Sequence, residues 1–289
     1  MNVVIGSAQF GMHYGVTNNT GLTPNNEIAK ILRYCKDKKI NYIDTASDYG
    51  DAEQKLGTND LNSFYVSSKL KLDHKYISYK KFKNNIINSL DNLNISSLYS
   101  LLIHNPNELN EDNYLLYREF FLKAKNEGLI DNIGISIYEP EILKRFDFDW
   151  VDLFQAPFNL FDNRLLSSGL LTQFKKAKKI VQIRSIFLQG VLLSDFNELP
   201  NYFRRFKNEF AYLDLFCKEH SMSRLEASIY FLRLFSDIDQ VIIGVESLKQ
   251  LKEINSVLEN DYDELKKFEI FIRDRSTDLI DPRNWDLPS

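Results

Sequence analysis

Short apolar runs recur along the chain, and between them apolar residues return at a spacing of three and four. Val3, Val4 and Ile5 head the first run, which closes on the small residues Gly6, Ser7 and Ala8. Runs of this length, β-branched and apolar on both faces, predict buried parallel strands. Ile28, Ile31, Leu32 and Cys35 then share one face of a helix that Asn25 or Asn26 can cap. The alternation continues to the end of the chain. Strands are predicted over 3–9, 40–46, 64–70, 98–104, 132–137, 151–156, 180–187 and 240–245. Helices are predicted over 53–56, 79–93, 114–126, from Pro140 onward, and over 165–179, 203–220, 224–235 and 248–258.

Eight strand-then-helix units, the seventh with an extra helix, predict an α/β protein with a parallel sheet and crossovers. Eight such units closing on themselves form a (β/α)₈ TIM barrel. An open doubly wound sheet competes, but it needs a phosphate-binding turn after its first strand. Gly6 and Gly11 have neither the dinucleotide nor the P-loop spacing. No composition break marks a linker, so one domain is expected over 1–289, with 261–289 as a C-terminal helix and tail.

Composition narrows the function. The 289 residues are 44% hydrophobic and 26% charged, as in ordered globular proteins. A net charge of −4 leaves no basic footprint for nucleic acid. No run approaches the roughly 20 apolar residues that span a bilayer, and the first residues lack a signal-peptide pattern. The two cysteines, Cys35 and Cys217, form no disulfide framework, and no Cys/His spacing points to a metal. A cytoplasmic location is expected.

In such a barrel the carboxyl ends of the strands build the site. The second strand ends in Asp44, with Tyr49 just beyond it. The third ends in Lys69, the fourth in His104, the fifth in Ser136, the sixth in Gln155, and the seventh in Arg184 and Ser185. Singly, each has a plainer reading. Asp44 can bracket a loop, Tyr49 is one of 15 tyrosines, Lys69 can be solvated, and His104 can cap a turn. Jointly, Asp, Tyr, Lys and His have one chemistry. A free phenol titrates near ~10 and is a poor proton donor at neutral pH. A nearby ammonium lowers that value, a carboxylate holds the ammonium, and a histidine orients a carbonyl oxygen. Such a set can protonate the alkoxide that forms when hydride reduces an aldehyde or ketone.

Several stretches resemble the aldo-keto reductases, single (β/α)₈ barrels that use nicotinamide cofactors. They are G-S-A-Q-F-G (6–11), D-T-A-S-D-Y-G-D-A-E-Q-K-L-G (44–57), S-S-K-L (67–70), L-L-I-H-N-P (101–106), I-G-I-S (133–136), F-Q-A-P-F-N (154–159) and I-I-G-V-E-S-L-K-Q-L-K-E (242–253). The second is the most specific. The resemblance implies NADPH or NADH as cofactor and a small carbonyl substrate, with a sugar-derived one suggested by the polar loop around His13, Tyr14 and Asn18. It makes Tyr49 the acid, Lys69 and Asp44 the pair that lowers its pKa, and His104 the carbonyl-orienting residue. Ser136 and Gln155 would bind the nicotinamide carboxamide. Ser185, Gly244, Gln250 and Glu253 would flank the cofactor, and no metal is implied.

Three departures from the pattern stand out. Ser136 is followed by Ile137 rather than asparagine. Arg184 stands where a tyrosine usually stacks on the nicotinamide; it can stack in its place, hold a substrate anion, or pair with an acidic neighbour. Glu246, after the last strand, would repel a 2′-phosphate and can accept bonds from ribose hydroxyls, so NADH is expected to be at least tolerated. The chain also starts too close to its first strand for the N-terminal hairpin that plugs many such barrels, so the 261–281 region is expected to cover that end. Trp285, in the tail, could reach the substrate mouth, although packing is its plainer role. Two other functions compete: a cofactor-binding sensor or regulatory subunit with little turnover, and a glycoside hydrolase using Asp44 and Asp48.

Overall fold

The computed structural model describes residues 1–18, 20–72 and 78–287. The last two residues of the predicted tail, Pro288 and Ser289, lie outside that set. Eight parallel strands close into a barrel in chain order, each hydrogen-bonded to the next and the eighth to the first. The first half runs β1 (Asn2–Gly6), α1 (Ala8–Gly11), α2 (Asn25–Lys38), β2 (Tyr42–Asp44), α3 (Ala52–Gly57), β3 (Tyr65–Leu70), α4 (Tyr79–Leu93), β4 (Leu98–Ile103) and α5 (Tyr114–Asn126). The second half runs β5 (Ile130–Ser136), β6 (Leu153–Pro157), α6 (Arg164–Ser167), α7 (Leu170–Lys176), β7 (Ile180–Arg184), α8 (Lys207–Glu219), α9 (Arg224–Leu232), β8 (Gln240–Gly244), α10 (Leu248–Glu259) and α11 (Thr277–Ile280). None of the described helices is long and apolar enough to cross a membrane.

The helices follow the periodicity. Ile28, Ile31, Leu32 and Cys35 of α2 are all buried, and the helix stops at Lys39 in the left-handed region with φ 58°. Ser78 caps α4 by accepting from Lys81 N at 3.3 Å. Ser223 and Glu226 form a reciprocal capping box on α9.

Several predicted elements are shorter. The first strand ends at Gly6, because Ser7 N donates to Asp44 O and the chain turns into α1. The predicted helix over 165–179 breaks into α6 and α7 at Gly169, which has φ +74°. The segment from Pro140 is a 3₁₀ turn over Pro140–Lys144, and the predicted helix over 203–220 starts with 3₁₀ turns over Asn201–Phe206. The C-terminal segment is not one helix. It is a 3₁₀ stretch over Leu265–Phe271, then α11, then a 3₁₀ turn over Pro282–Asn284.

That segment does not cover the end where the strands begin. It runs beside the loop that follows β6, on the mouth side. Asn163 Nδ2 donates to Phe271 O at 3.0 Å, and Arg275 Nη1 donates to Leu160 O at 3.0 Å. Trp285 packs on Phe203 and donates to Leu279 O, taking the packing role rather than a place in the site. At the opposite end of the barrel, Tyr42 stacks on Tyr65 and Tyr99 meets both rings edge-on, with centroids 5.0–5.5 Å apart.

Candidate active site

The turn after β2 owes its position to two glycines. A Cβ on Gly11 would lie 1.8 Å from Tyr49 O, and one on Gly50 would lie 2.1 Å from Gly11 O. Backbone therefore meets backbone where α1 docks on the turn. Lys55 Nζ locks the contact by donating to Phe10 O at 2.7 Å. Glu53, buried in α3, accepts from Ser68 Oγ on β3 at 2.6 Å. The 6–11 and 44–57 motifs are thus two halves of one mount, and Tyr49 is the residue it presents.

Lys69 comes to the same point from β3. It is only 1% exposed. Its Nζ donates to Asp44 Oδ2 at 2.5 Å, to Thr45 O at 2.9 Å and to the Tyr49 hydroxyl at 3.3 Å. A buried ammonium needs all its protons matched, and here they are. The structure thus brings Asp44, Tyr49 and Lys69 into direct contact.

The phenol of Tyr49 does not respond as the sequence implied. Its pKa is raised, first by burial and then by the negative charge of Asp44, with Arg184 pulling the other way. Lys69 spends its charge on a carboxylate at 2.5 Å, so the phenol meets a nearly neutral pair in a dry site. Tyr14, also lining the cavity, is pushed up to about 12, again chiefly by burial.

His104 reaches the site from the end of β4, its ring 5.8 Å from that of Tyr49 and edge-on to it. Its Nδ1 lies 3.0 Å from Asp48 Oδ1, off the line of a good hydrogen bond. Asp48 Oδ2 is 3.0 Å from Lys71 Nζ. Burial opposes the charge on Asp48, but His104 and Lys71 outweigh it and hold the carboxyl well below its usual range. Asp48 lies in the turn after β2, and these two partners lie just past the ends of β4 and β3.

Ser136 and Gln155 are adjacent in register and bonded to each other, Ser136 Oγ donating to Gln155 Oε1 at 3.2 Å. Gln155 Nε2 donates to Asp44 Oδ1 at 2.8 Å and to Gln182 Oε1 at 2.6 Å. Gln182 Nε2 continues to Gln240 Oε1 at 2.7 Å. Neither Ser136 nor Gln155 lines the cavity. Arg184 does. Its guanidinium lies 3.9 Å above the ring of Tyr138, with Arg283 on the same ring at 4.2 Å. It donates to Ser185 Oγ and Ile137 O, both at 3.3 Å. No carboxylate among the described residues pairs with it, so the acidic-partner reading of Arg184 falls.

The cavity holds about 310 Å³. Asp44 and Tyr49 line it, with Arg184 and Ser185 beside them and Gly244, Glu246, Gln250 and Glu253 further along. Glu246 accepts from Thr20 Oγ1 at 3.1 Å, and its backbone N donates to Gln250 Oε1 at 2.8 Å. The N-terminus of α10 already holds a carboxylate, since Glu27 Oε1 accepts from Leu248 N at 2.8 Å. Two buried polar atoms on the wall, Ser7 Oγ and Gln9 Oε1, have no partner among the described residues.

The sequence model of the aldo/keto reductase family matches residues 2–270. No curated protein matches the chain. Among solved structures, an aldo-keto reductase from Bacillus halodurans in its holo form is 18% identical. It superposes with a TM-score of 0.74 over 98% of this chain and 95% of its own. A glycerol dehydrogenase from Gluconobacter oxydans is also 18% identical, with a TM-score of 0.71 over 99% of this chain and 94% of its own. At that identity these likenesses speak for the barrel alone. The family match across almost the whole length, together with the closed eight-strand barrel, shows that this chain belongs to the aldo/keto reductases, oxidoreductases that use nicotinamide cofactors.

Proposed function

We propose that the protein reduces an aldehyde or ketone to an alcohol with NADH or NADPH, Tyr49 supplying the proton. The observation that carries this reading is the hydrogen bonding of Lys69 to both Asp44 and Tyr49 beside a cavity of about 310 Å³. The wall suits a nicotinamide cofactor. Gly6 and Gly244 pair in register on it, the Gln9 amide packs against Gly244, and Ser7 Oγ and Gln9 Oε1 offer unused polar atoms there. Arg184, Ser185, Gly244, Glu246, Gln250 and Glu253 would hold the cofactor along its length. When bound, the reduced cofactor supplies hydride.

The residues of the chain manage the proton. A phenol with a raised pKa stays protonated at neutral pH, so Tyr49 holds its proton until charge develops on the carbonyl oxygen. An alkoxide is a far stronger base than a phenolate, so the transfer then runs downhill. Lys69 Nζ, 3.3 Å away, steadies the phenolate left behind. His104 aligns the carbonyl oxygen. Tyr49→Phe should cut kcat by about 10²–10⁴-fold, the usual weight of general acid catalysis, while cofactor affinity by fluorescence titration stays the same. Wild-type turnover in that variant would refute the tyrosine-acid mechanism.

NADH should be accepted. Glu246 and the Glu27 carboxylate at the head of α10 both repel a 2′-phosphate. A preference for NADPH above ~100-fold in steady-state rates would end this argument. One observation favours the sensor reading: Gln155 donates to Asp44 and Gln182, so a carboxamide would have to displace existing bonds. Tight cofactor binding without absorbance loss at ~340 nm across a broad carbonyl panel, sugar-derived aldehydes included, would support that role.

A further inference from the structure

Asp48 sits one residue before the proposed acid and has no part in the reaction as written above. Its Oδ1 and His104 Nδ1 are both buried, 3.0 Å apart, and neither has a hydrogen-bond partner among the described residues. A carboxylate oxygen can only accept. A bare ring nitrogen at that distance would set lone pair against lone pair, so Nδ1 carries the proton, and a small turn of the ring brings it into line.

The described charged or titratable groups around the pair are Asp48 and Tyr49 from the turn after β2, Lys71 just past β3, and Glu108 after β4. Lys71 balances the charge of Asp48 at 3.0 Å. The main effect of Asp48 on His104 is therefore to choose which nitrogen is protonated. Its low pKa keeps it an acceptor through the neutral range.

We propose that Asp48 is a positioning residue that fixes neutral His104 as the Nδ1–H tautomer. Nε2 can then donate to a carbonyl oxygen only when the ring holds both protons. The inference rests on the carbonyl-reductase reading and deepens it. The doubly protonated ring aligns the carbonyl. By microscopic reversibility the same form stands beside the alcohol in the reverse reaction, with Tyr49 rather than His104 carrying the transferred proton in both directions.

The test uses nitrogen-resolved NMR of the imidazole rings in the intact protein. There are four histidines, and His104→Gln identifies the signal. Asp48→Asn keeps the shape of the site. Lys71 claims the amide's single acceptor, so the NH₂ turns to Nδ1 and the ring proton moves to Nε2. The expected result for the neutral ring is Nδ1–H in the unaltered protein and Nε2–H in Asp48→Asn. In kinetics, Asp48→Asn should change the shape of the pH dependence of kcat/KM for reduction and not merely its height. Nε2–H in the unaltered protein, or the same tautomer in both, would overturn the proposal. So would a uniform loss of kcat with an unchanged pH profile. The NMR needs no turnover, so a protein that reduces no carbonyl would fail the functional reading while the tautomer is still decided by itself.

Discussion

Lys69 shows how much one side chain can be asked to do. It is buried, it neutralises Asp44, and it touches the phenol of Tyr49. Removing it strands a carboxylate in the barrel. Lys69→Met should cost about 3–5 kcal/mol of stability, the usual penalty for breaking a buried ion pair, read as a lower urea midpoint. Asp44→Asn in the same chain should restore part of that loss, because no charge is then left unpaired. Activity should stay low in both, since the phenolate has lost its cation. Arg184 poses a different question. It has unused N–H donors and no acidic partner among the described residues, held flat by Tyr138. Arg184→Met should weaken cofactor affinity if the guanidinium stacks on the nicotinamide. If it holds a substrate anion, KM for a 2-oxo acid should rise instead, with cofactor affinity unchanged. Fluorescence titration beside steady-state kinetics separates the two.

Among the elements, the decisive contact is the one between α1 and the turn after β2. Gly11→Ala puts a methyl group where Tyr49 O now lies. The turn must move, and a displacement of about 1 Å in a catalytic group costs roughly 100-fold in rate. The expected result is a large loss in kcat with a melting temperature lowered by only a few degrees. A wild-type kcat would show that the mount tolerates a side chain. This contact explains what was legible beforehand. Short apolar runs alternating with a 3.6-residue period reveal the strands and helices, and residues at strand ends reveal Asp44, Lys69 and His104. The partnering of Asp48 was not legible, because it depends on how three loops pack across strands 2, 3 and 4. Nor was the direction of the Tyr49 shift. Residue types name the neighbouring charges but not the burial that outweighs them. The broken helices at 165–179 and after 261 turn on local backbone and tertiary contacts, which periodicity does not record.

For the molecule as a whole, the mouth side is braced by the C-terminal segment through buried charge. Asp281 is 2% exposed; Arg283 holds it with three bonds, one from its backbone N–H, and Arg164 adds a fourth. Its pKa is lowered: burial works against the charge, and the bonds to Arg283 outweigh it. A group depressed in the folded state stabilises it above the unfolded value, near ~3.9 for aspartate, and that contribution fades as pH falls through the folded one. Acid should therefore loosen this brace first. Amide exchange in 277–285 should rise below about pH 4 ahead of the strands, and Asp281→Asn should show that faster exchange already at neutral pH. Unchanged exchange there would mean that packing of Phe268 and Phe271 holds the segment alone.

The row of amides behind the site has a sense of direction. Asp44 can only accept, so Gln155 must turn its NH₂ toward it, which leaves its oxygen to Ser136. That choice also sends the second N–H to Gln182, which must then point its own NH₂ at Gln240. A single negative charge thus works like a magnet under a line of compass needles, setting the polarity of three strands. Neutralising Asp44 would free the needles to reverse together, turning donors into acceptors behind the site without any backbone movement.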